Sequence, residues 1–411
     1  MTRLSLLVPA VLFASGCNCG SSRLTNSRDV CELTPELCDA GITLPPPEDS
    51  GVIEPVVDSG VPDAGQPCTD LGAVSGRVCA PDQMTWVNGA TVSVDATDCH
   101  GQSVHLETTS AADGAFSLRD VPPGNWSVHA SLGAFTQDTP VTVRTNATTA
   151  IPDNQLCVAQ RTVRIAVVTG SGDKIEDLLG SLNLQYTLIG GDSSTWTTQA
   201  EPFLSNLTQM KQYDLIFIDC AAAKSSGTTI DLGASAATIE SNLAAYVRQG
   251  GSVYSSDWGL LFTLAASPTA VSYATQGGAA ISNPLDARVL MGYAPQTVTA
   301  TVRDAALAQF LGKSSLSIAF PKQVGANSLH WGLMSATQNA QVLVSAPSVI
   351  TCPNTTCSSP GSTRANVPLA VRVRMLPAGQ RGGNVVYTSF HNVAQTGTDV
   401  AQVLKYLVLN L

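Results

Sequence analysis

The sequence predicts a multidomain protein in which an all-β sandwich precedes an α/β domain with a doubly wound parallel sheet. Two patterns support this prediction. Between residues 68 and 157, short runs such as GATVSV and WSVHA alternate polar and apolar side chains, which is typical of strands with one buried face. From residue 161 onward, continuous apolar runs such as VRIAVV alternate with helical patterns, which is typical of parallel strands buried on both faces.

The N-terminal residues predict export through a signal peptide, residues 1–16. A basic residue precedes the apolar run Leu4–Phe13, and Ala14–Gly16 supplies the small side chains of a cleavage site. The segment FASGC resembles a bacterial lipobox, which implies that Cys17 is lipidated and carries palmitate. An ordinary signal peptide followed by a chance cysteine is the alternative. We therefore expect a lipoprotein anchored in the bacterial cell envelope, and Asn18 favours the outer membrane.

Residues 17–67 are predicted to form an acidic tether rich in proline, glycine and aspartate. Nine acidic residues and two arginines lie between residues 18 and 67, and such a segment buries too little apolar surface to offset its chain entropy. Four Asp-Ala-Gly or Asp-Ser-Gly triplets suggest calcium binding as an alternative, but their uneven spacing does not match a calcium loop. The net charge is −10 without a basic patch, which argues against nucleic acid as a partner.

The eleven cysteines favour an oxidising compartment. Cys352 and Cys357 bound the short segment CPNTTC, and we predict a disulfide there on a surface loop. Cys31 and Cys38 could close a second small loop. Four cysteines in or beside the β-rich region allow two more bridges, whose connectivity the sequence leaves open: Cys68, Cys79, Cys99 and Cys157.

The motifs GATVSV and DGAFSLRDVPPGNWSV carry a family resemblance. They resemble the carboxypeptidase regulatory-like domain, a transthyretin-like sandwich, with Trp126 where that pattern usually has tyrosine. The resemblance implies that residues 68–157 are a non-catalytic spacer or binding unit. His100, His105 and His129 lie in this region, but their spacing matches no metal motif, so we predict no zinc site among them.

Strands and helices alternate with short links after residue 161. Strands are predicted at VRIAVV, LQYTLI, YDLIFID and SVYSS, with helices over Ala200–Met210 and Ile239–Arg248. Asp173 is predicted to cap the first helix, whose apolar residues recur at helical spacing: Ile175, Leu178, Leu179 and Leu182.

Residues 265–380 are predicted to form an insertion of mixed strands in the α/β domain, which spans residues 161–411. Its strands are expected at TVTATVRD, LSIAF, AQVLVSA and PLAVRVRML. The domain closes with the strand GGNVVYTSFHN and a helix over Thr398–Leu411.

Three segments of this domain carry a second resemblance: YDLIFIDC, LAAYVRQGGSVYSSDWG and VVYTSFHN. Over residues 161–260 and 382–411, the chain resembles the class I glutamine amidotransferase-like superfamily, especially its trehalose-utilisation, ThuA-like branch. This resemblance implies a flavodoxin-like sheet with Asp257 at the position of the nucleophile and His391 at that of the general base.

The sequence departs from that family at the residues that perform the chemistry. The nucleophile motif Gly-x-Cys-x-Gly is replaced by Ser-Ser-Asp-Trp-Gly, and the glycine pair of the oxyanion hole is replaced around Cys220-Ala221. Acyl transfer needs both an activated nucleophile and preorganised donors to the oxyanion. We therefore do not expect glutaminase activity.

Asp257 and His391 are the candidate catalytic residues, and we expect their side chains to lie in contact because parallel strands end at one edge of a sheet. A structural pair, in which Asp257 caps the next helix and binds His391, is the alternative. Cys220, Trp258 and Ser389 are candidates for a ligand pocket. Cys220 could instead be a buried free cysteine or a nucleophile paired with His391, and Trp258 could pack in the core.

Gly170-Ser171-Gly172 follows the first strand of the α/β domain and could hold a phosphate at a helix N-terminus. Ile175 stands where a third glycine would be expected, so a simple turn is favoured. No cofactor and no metal ion is predicted.

The sequence leaves two functions of different classes open. The first is an envelope-anchored, non-catalytic binding or structural module, which the missing cysteine and glycine pair favour. The second is a hydrolase that uses Asp257 and His391 on an envelope substrate. The expected partners are the membrane, through the lipid anchor, and an unidentified envelope protein or carbohydrate ligand.

Overall fold

The computed structural model describes most of the chain after residue 66. The described residues are 67–161, 163–224, 231–273, 291–321, 330–334, 336–337, 339–354, 357–377, 380, 382–393, 395 and 397–411. The predicted signal peptide, the predicted lipidation site Cys17, the pair Cys31 and Cys38, and the predicted tether up to residue 66 lie outside them. No helix in the described part is both long and apolar enough to cross a membrane.

Seven strands form a β-sandwich, which confirms the predicted class of the first folded region. They are β1 (Gly72–Arg77), β2 (Thr91–Thr97), β3 (Ser103–Thr109), β4 (Ala115–Val121), β5 (Gly124–Leu132), β6 (Phe135–Val143) and β7 (Thr148–Ala150). One sheet has the order β4-β1-β7 and the other β3-β2-β5-β6. In β4, Phe116 and Leu118 are buried while Ser117 and Arg119 are exposed, as the alternating pattern predicts.

Two disulfides join segments at the borders of the sandwich, Cys68–Cys99 and Cys79–Cys157. The sequence left this connectivity open. Strands β1 and β7 pair in parallel, and the segments that follow them meet in a further parallel bridge between Cys79 and Cys157. The register of two distant strands therefore decides which cysteines can react with each other.

The α/β region is built on a nine-stranded sheet. Its elements in chain order are β8 (Ile165–Val168), α1 (Ile175–Ser181), β9 (Thr187–Ile189), α2 (Ala200–Leu204), α3 (Leu207–Met210), β10 (Leu215–Ile218), α4 (Ala236–Arg248), β11 (Ser252–Ser256), α5 (Leu260–Ala266), β12 (Val271–Ser272), β13 (Met291–Tyr293), β14 (Gln296–Val302), α6 (Ala305–Leu311), β15 (Ser315–Phe320), β16 (His330–Gly332), β17 (Ala336–Thr337), β18 (Gln341–Ile350), β19 (Thr363–Arg374), β20 (Asn384–Thr388) and α7 (Thr398–Leu409).

The order of the strands identifies the topology. The sheet runs β15-β14-β18-β19-β20-β11-β10-β8-β9, and the strands from β20 to β9 are mutually parallel. Numbered by chain position, these five parallel strands follow 2-1-3-4-5, the flavodoxin-like order, which confirms the predicted fold class. Every residue of β8, β10, β11 and β20 is buried, as expected for strands covered on both faces.

The segment between β11 and β20 extends the same sheet. Strands β19, β18, β14 and β15 add to the edge of β20 in antiparallel pairs. Two short ladders, β12 with β17 and β13 with β16, are separate from the main sheet. The insertion therefore supplies both an enlarged sheet and the β16 segment, which reaches the turn after β11.

Two local predictions differ from the structure. The helix expected over Ala200–Met210 is two short helices, because Asn206 interrupts it and its side chain accepts the N–H of Gln209 to cap α3. Asp173 does not cap α1, which begins at Ile175 without a side-chain cap. The Asp173 carboxylate is instead drawn into the end of the sheet, where it accepts the hydroxyl of Ser256 at 2.6 Å.

The disulfide between Cys352 and Cys357 is present as predicted, and the described residues next to the two cysteines, such as Pro353 and Ser358, are exposed. Both cysteines are buried and belong to the apolar cluster on one face of the sheet. The N–H of Cys352 donates to the carbonyl of Met291 at 2.9 Å, which ties this segment to β13. The sequence of a short polar loop contains no information about a hydrogen bond to a strand far away in the chain.

The sandwich packs against the α/β region. The side-chain amide of Asn88 donates to the carbonyl of Ala306 at 3.2 Å, and Lys405 of α7 lies 3.9 Å from Asp82. One continuous apolar core includes residues of both, among them Val92 and Leu407.

Candidate functional site

Four parallel strands end at one edge of the sheet, and the residues after them form one buried group. Asp173 lies in the loop after β8, Asp219 and Cys220 follow β10, Asp257 follows β11 and His391 follows β20. Strands β8 and β10 flank the point where the sheet order reverses, which is where open α/β sheets bind ligands. We call these five residues the strand-end cluster.

Asp257 begins the sharp turn from β11 into α5. Ser256 is extended, with φ −128° and ψ 147°, and Asp257 then adopts a φ of 43°, in the left-handed region. A non-glycine residue in that region stores roughly 1–3 kcal/mol of strain. Tyr387 stabilises the turn by donating its hydroxyl to the Asp257 carbonyl at 2.9 Å. A strained turn between strand and helix is also where α/β hydrolases present a nucleophile.

Both carboxylate oxygens of Asp257 are in contact with other groups. Oδ1 accepts the N–H of Gly332, at the end of β16 in the insertion. Oδ2 lies 3.7 Å from Nε2 of His391 and 3.6 Å from Sγ of Cys220. Burial raises the pKa of Asp257 to about 6, although the charge of His391 and the N–H of Gly332 act in the opposite direction. The side chain does not cap α5, which has no side-chain cap.

Cys220 is buried and is the only free thiol among the cysteines that the structure describes. Its thiol donates to Oδ2 of Asp257. Burial raises the pKa of the Cys220 thiol well above its ordinary value, and the negative charge of Asp257 adds to this shift. The thiolate is the nucleophilic form of cysteine, so this environment holds Cys220 as an unreactive thiol.

His391 lies between two aspartates. Its Nε2 faces Asp257, and its Nδ1 lies 3.8 Å from Oδ1 of Asp173. The backbone N–H of His391 donates to the side-chain oxygen of Gln395 at 2.8 Å, which fixes the chain after β20. An acid, an imidazole and a second acid therefore form a continuous buried row across the ends of three strands.

Asp219 adds a further carboxyl group to the strand-end cluster. Burial raises its pKa well above the ordinary range, and the nearby charges of Asp173 and Glu176 raise it further. The raised pKa favours the protonated, neutral form of Asp219. Sequence reasoning missed Asp173, Asp219 and Gly332 as site residues. The two aspartates could have been found as acids that directly follow apolar strands, whereas nothing near Gly332 in the sequence points to the site.

The remaining predicted residues lie around the cluster. Ser389 is completely buried, and Trp258 is partly buried against the apolar cluster on one face of the sheet. The loop Gly170–Gly172 packs on the Cys220 carbonyl: the N–H of Gly172 donates to it at 3.1 Å, and a Cβ at Gly170 would lie 2.1 Å from it. This loop is a close-packed turn, and the helix after it has only seven residues. The assignment of Cys220, Trp258 and Ser389 to a ligand pocket stays a prediction.

The strand-end cluster is closed to solvent. Cys220, Asp257 and His391 are each at most 3% exposed. A Cβ on Gly332 would lie 2.6 Å from the Tyr387 hydroxyl and 2.8 Å from the Asp257 carbonyl oxygen. The contact between the insertion and the turn therefore leaves no room for a side chain at position 332. The site has an acid–base pair and a thiol, Cys220, whose raised pKa disfavours the nucleophilic thiolate. The catalytic role of Asp257 and His391 stays a prediction.

Two groups of donor atoms in the described residues have the proximity that a metal ion needs. Cys68, Cys99 and His100 form one group, but its two cysteines are joined in a disulfide and cannot bind a metal as thiolates. The other group belongs to the strand-end cluster, where donor atoms of Cys220, Asp257 and His391 all lie within 4.8 Å of one another.

The sandwich belongs to a known domain family. Residues 73–156 match the family model of the carboxypeptidase regulatory-like domain, which confirms the resemblance carried by its strand and turn motifs. No curated protein matches the chain.

Solved structures similar to the chain include proteins of the superfamily that the α/β segments resemble. A ThuA-like protein from Parabacteroides merdae is 11% identical, covering 61% of this chain and 90% of its own, with a TM-score of 0.34. A glutamine amidotransferase from Thermotoga maritima is 8% identical, covering 61% of this chain and 97% of its own, with a TM-score of 0.34.

A third similar structure is the major pilin subunit of Bacillus cereus. It is 12% identical over 22% of this chain, with a TM-score of 0.17, and the chain spans 31% of the length of that protein.

Proposed function

We propose that this protein is an envelope-anchored lipoprotein whose α/β region is a non-catalytic binding or structural module. The observation that supports the non-catalytic role is the contact between Gly332 and Asp257. The N–H of Gly332 occupies one carboxylate oxygen of the residue at the nucleophile position, and β16 covers the turn. A substrate carbonyl would need that space.

The chemistry of the cluster supports the same conclusion. The raised pKa of Cys220 favours its thiol form, and Asp257, a carboxylate and hence a weak nucleophile, lies beside the imidazole of His391. Glutaminase chemistry also needs donors aimed at an oxyanion, and the loss of one such donor costs about 3–4 kcal/mol of barrier stabilisation. The backbone near Cys220 instead presents its carbonyl oxygen, which accepts the N–H of Gly172.

The proposed cellular setting follows from the N-terminal sequence and the disulfides. Cys17 would hold the protein in the membrane, and the acidic segment 18–67 would link this anchor to the folded domains. Three disulfides among the described cysteines fit an oxidising compartment. The partner would be an envelope protein or a carbohydrate met by the folded domains.

Fractionation of cells that express the full chain tests the anchor. We expect Cys17→Ala to release the protein from the membrane fraction, whereas the control Cys19→Ala leaves it there. Membrane association that is unchanged in Cys17→Ala would contradict the lipoprotein assignment.

Hydrolysis assays test the non-catalytic role. We expect no release of ammonia from glutamine, and no hydrolysis of ester or glycoside substrates above the rate of His391→Ala. Turnover by the natural protein that is lost in His391→Ala would contradict the proposal.

The alternative is a hydrolase that uses Asp257 and His391 on an envelope substrate. Two observations favour it: the left-handed backbone of Asp257, and a pKa of about 6, which suits a general acid or base near neutral pH. This alternative predicts activity that disappears in both Asp257→Asn and His391→Ala, with a pH profile set by the pair.

A further inference from the structure

The side chains of Cys220, Asp257 and His391 present one sulfur, one oxygen and one nitrogen donor to a common point. Each comes from the end of a different strand, and all three are buried. We propose that these three residues bind one Zn²⁺ ion. This inference does not depend on the proposed function, because a metal ion at this point could be structural or could activate a water molecule.

The two donor distances to Asp257 are close to those of a tetrahedral ion, and the third pair, Cys220 and His391, lies within 4.8 Å. Zinc–sulfur bonds of about 2.3 Å and zinc–nitrogen or zinc–oxygen bonds of about 2.0–2.1 Å place tetrahedral ligand atoms roughly 3.3–3.6 Å apart. Sγ of Cys220 lies 3.6 Å from Oδ2 of Asp257, and Nε2 of His391 lies 3.7 Å from the same oxygen. Small side-chain movements therefore suffice to place the three donors around one ion.

Groups behind the donors orient them as outer-shell partners orient metal ligands. Asp173 faces Nδ1 of His391 at 3.8 Å, on the opposite side of the ring from Asp257. A small movement that brings Asp173 into hydrogen-bond range of Nδ1 would create the carboxylate–histidine arrangement that keeps Nε2 available for a metal. Gly332 donates to Oδ1 of Asp257, which leaves Oδ2 directed at the other two donors.

Charge and ligand type favour zinc over magnesium or calcium. A thiolate, a carboxylate and a neutral imidazole carry two negative charges, which balance the charge of Zn²⁺ in a buried site. Asp173 adds further negative charge beside His391. Sulfur and imidazole donors suit zinc, whereas magnesium and calcium select oxygen donors.

Zinc binding requires the thiol of Cys220 to lose its proton. The thiol loses its proton to the buffer as the sulfur–zinc bond forms, so one proton is released for each ion bound to the neutral thiol and affinity increases with pH. Because the donors are buried, we expect the ion to enter during folding or local opening of the site.

Cobalt is the probe for the first test, because thiolate-to-Co²⁺ charge transfer is visible in the absorption spectrum. The full chain is refolded in chelator with its disulfides oxidised, and is then titrated with Co²⁺ followed by Zn²⁺. We expect a charge-transfer band that saturates at one Co²⁺ per chain and disappears when Zn²⁺ displaces it. Absence of saturable Co²⁺ and Zn²⁺ binding by the refolded natural chain would overturn the proposal.

Substitutions at the proposed ligands test which side chains bind the metal ion. We expect Cys220→Ser to abolish the charge-transfer band and His391→Ala to abolish stoichiometric binding. Asp173→Asn should weaken binding by about 10- to 100-fold through its effect on His391. His100→Ala is the matched control, because His100 lies in the other donor group, whose cysteines form a disulfide. Stoichiometric binding that persists in both Cys220→Ser and His391→Ala would overturn the site.

Thermal unfolding of the natural chain supplies a measurement that does not depend on how the variants fold. Free Zn²⁺ at 100 times its dissociation constant should increase the ratio of folded to unfolded protein about 100-fold, and so raise the melting temperature. We expect His100→Ala to show the same increase. A melting temperature that Zn²⁺ leaves unchanged, at concentrations that saturate the Co²⁺ competition, would contradict binding to the folded site.

Discussion

The carboxylate of Asp173 faces the imidazole of His391, with Oδ1 3.8 Å from Nδ1 and both side chains almost completely buried. The two residues are more than two hundred positions apart in the chain, and the parallel sheet brings the loops that carry them to one edge. Asp173 is thus close enough to influence the site through His391, and its other carboxylate oxygen accepts the hydroxyl of Ser256.

We expect Ser256→Ala to destabilise the protein. The Ser256 hydroxyl donates to Oδ2 of Asp173 at 2.6 Å in a buried environment. Its loss leaves a buried carboxylate oxygen without this donor, which costs about 1–3 kcal/mol. Chemical denaturation measures the change, with Ser193→Ala on an exposed turn as the control. Equal stability of the two variants would show that the Ser256 contact contributes nothing.

Gly332→Ala should also destabilise the protein, by about 1–3 kcal/mol, because the new Cβ forces the packing apart. It would meet the Tyr387 hydroxyl at 2.6 Å and the Asp257 carbonyl oxygen at 2.8 Å. Gly180→Ala is the matched control, because that position lies within α1 and its Cβ would have no atom closer than 4.0 Å. We expect the control to be as stable as the natural protein or more so. If Gly332→Ala were more stable than Gly180→Ala, the close contact between β16 and the turn would be contradicted.

The metal-free protein should lose stability as the pH rises through the range in which Asp257 titrates. Its pKa is about 6 in the folded protein against an ordinary value of 3.8, so between these values the folded state binds more protons than the unfolded state. At about 1.4 kcal/mol for each pH unit, the loss approaches about 3 kcal/mol by pH 7.

The pKa of Asp219 is also raised, so Asp219 also makes the stability of the protein depend on pH. The effect of Asp257 is therefore measured as the difference in unfolding free energy between the natural protein and Asp257→Asn. Asparagine keeps an acceptor for Gly332 but does not titrate in this range. We expect the stability difference between the two proteins to change between about pH 4 and pH 6 and to be constant above that range. A difference that is constant over the whole range would contradict the raised pKa.

The disulfides should differ in their contribution to stability. Cys79 and Cys157 are 78 residues apart, and Cys352 and Cys357 only 5. Loop entropy then gives about 4–5 kcal/mol for the first bridge and about 2 kcal/mol for the second. Denaturation of the paired alanine variants measures both values, and mass spectrometry of a non-reduced digest identifies the linked peptides. A larger loss for the short loop would show that burial of Cys352 outweighs loop entropy.

Asp257→Cys should not create a glutaminase. It restores a nucleophilic side chain beside His391, but it supplies no donors for the oxyanion, each of which is worth about 3–4 kcal/mol. The backbone at Cys220 presents its carbonyl, which the Gly170–Gly172 loop packs against, rather than a free donor. Ammonia release from glutamine is the measurement, with Asp257→Cys combined with His391→Ala as the control. Activity in the single variant that the second substitution removes would refute this account.

Much of the fold could be predicted from local patterns. Continuous apolar runs identified β8, β10 and β11, because strands buried on both faces need apolar side chains at every position. The strand-end positions of Asp257 and His391 followed from the same patterns. The error at Ala200–Met210 has a local cause, since Asn206 can cap a helix as readily as it can lie within one.

The sequence by itself determined the order of the elements, the family of the sandwich and the residues that end the parallel strands. Each of these is recorded in a run of neighbouring residues, whose side-chain pattern reflects burial and backbone geometry. Only the tertiary structure decided that Asp173 faces His391, that Gly332 covers Asp257, and that Cys352 is buried. These contacts join residues far apart in the chain, and their geometry depends on strand order and register rather than on any local pattern.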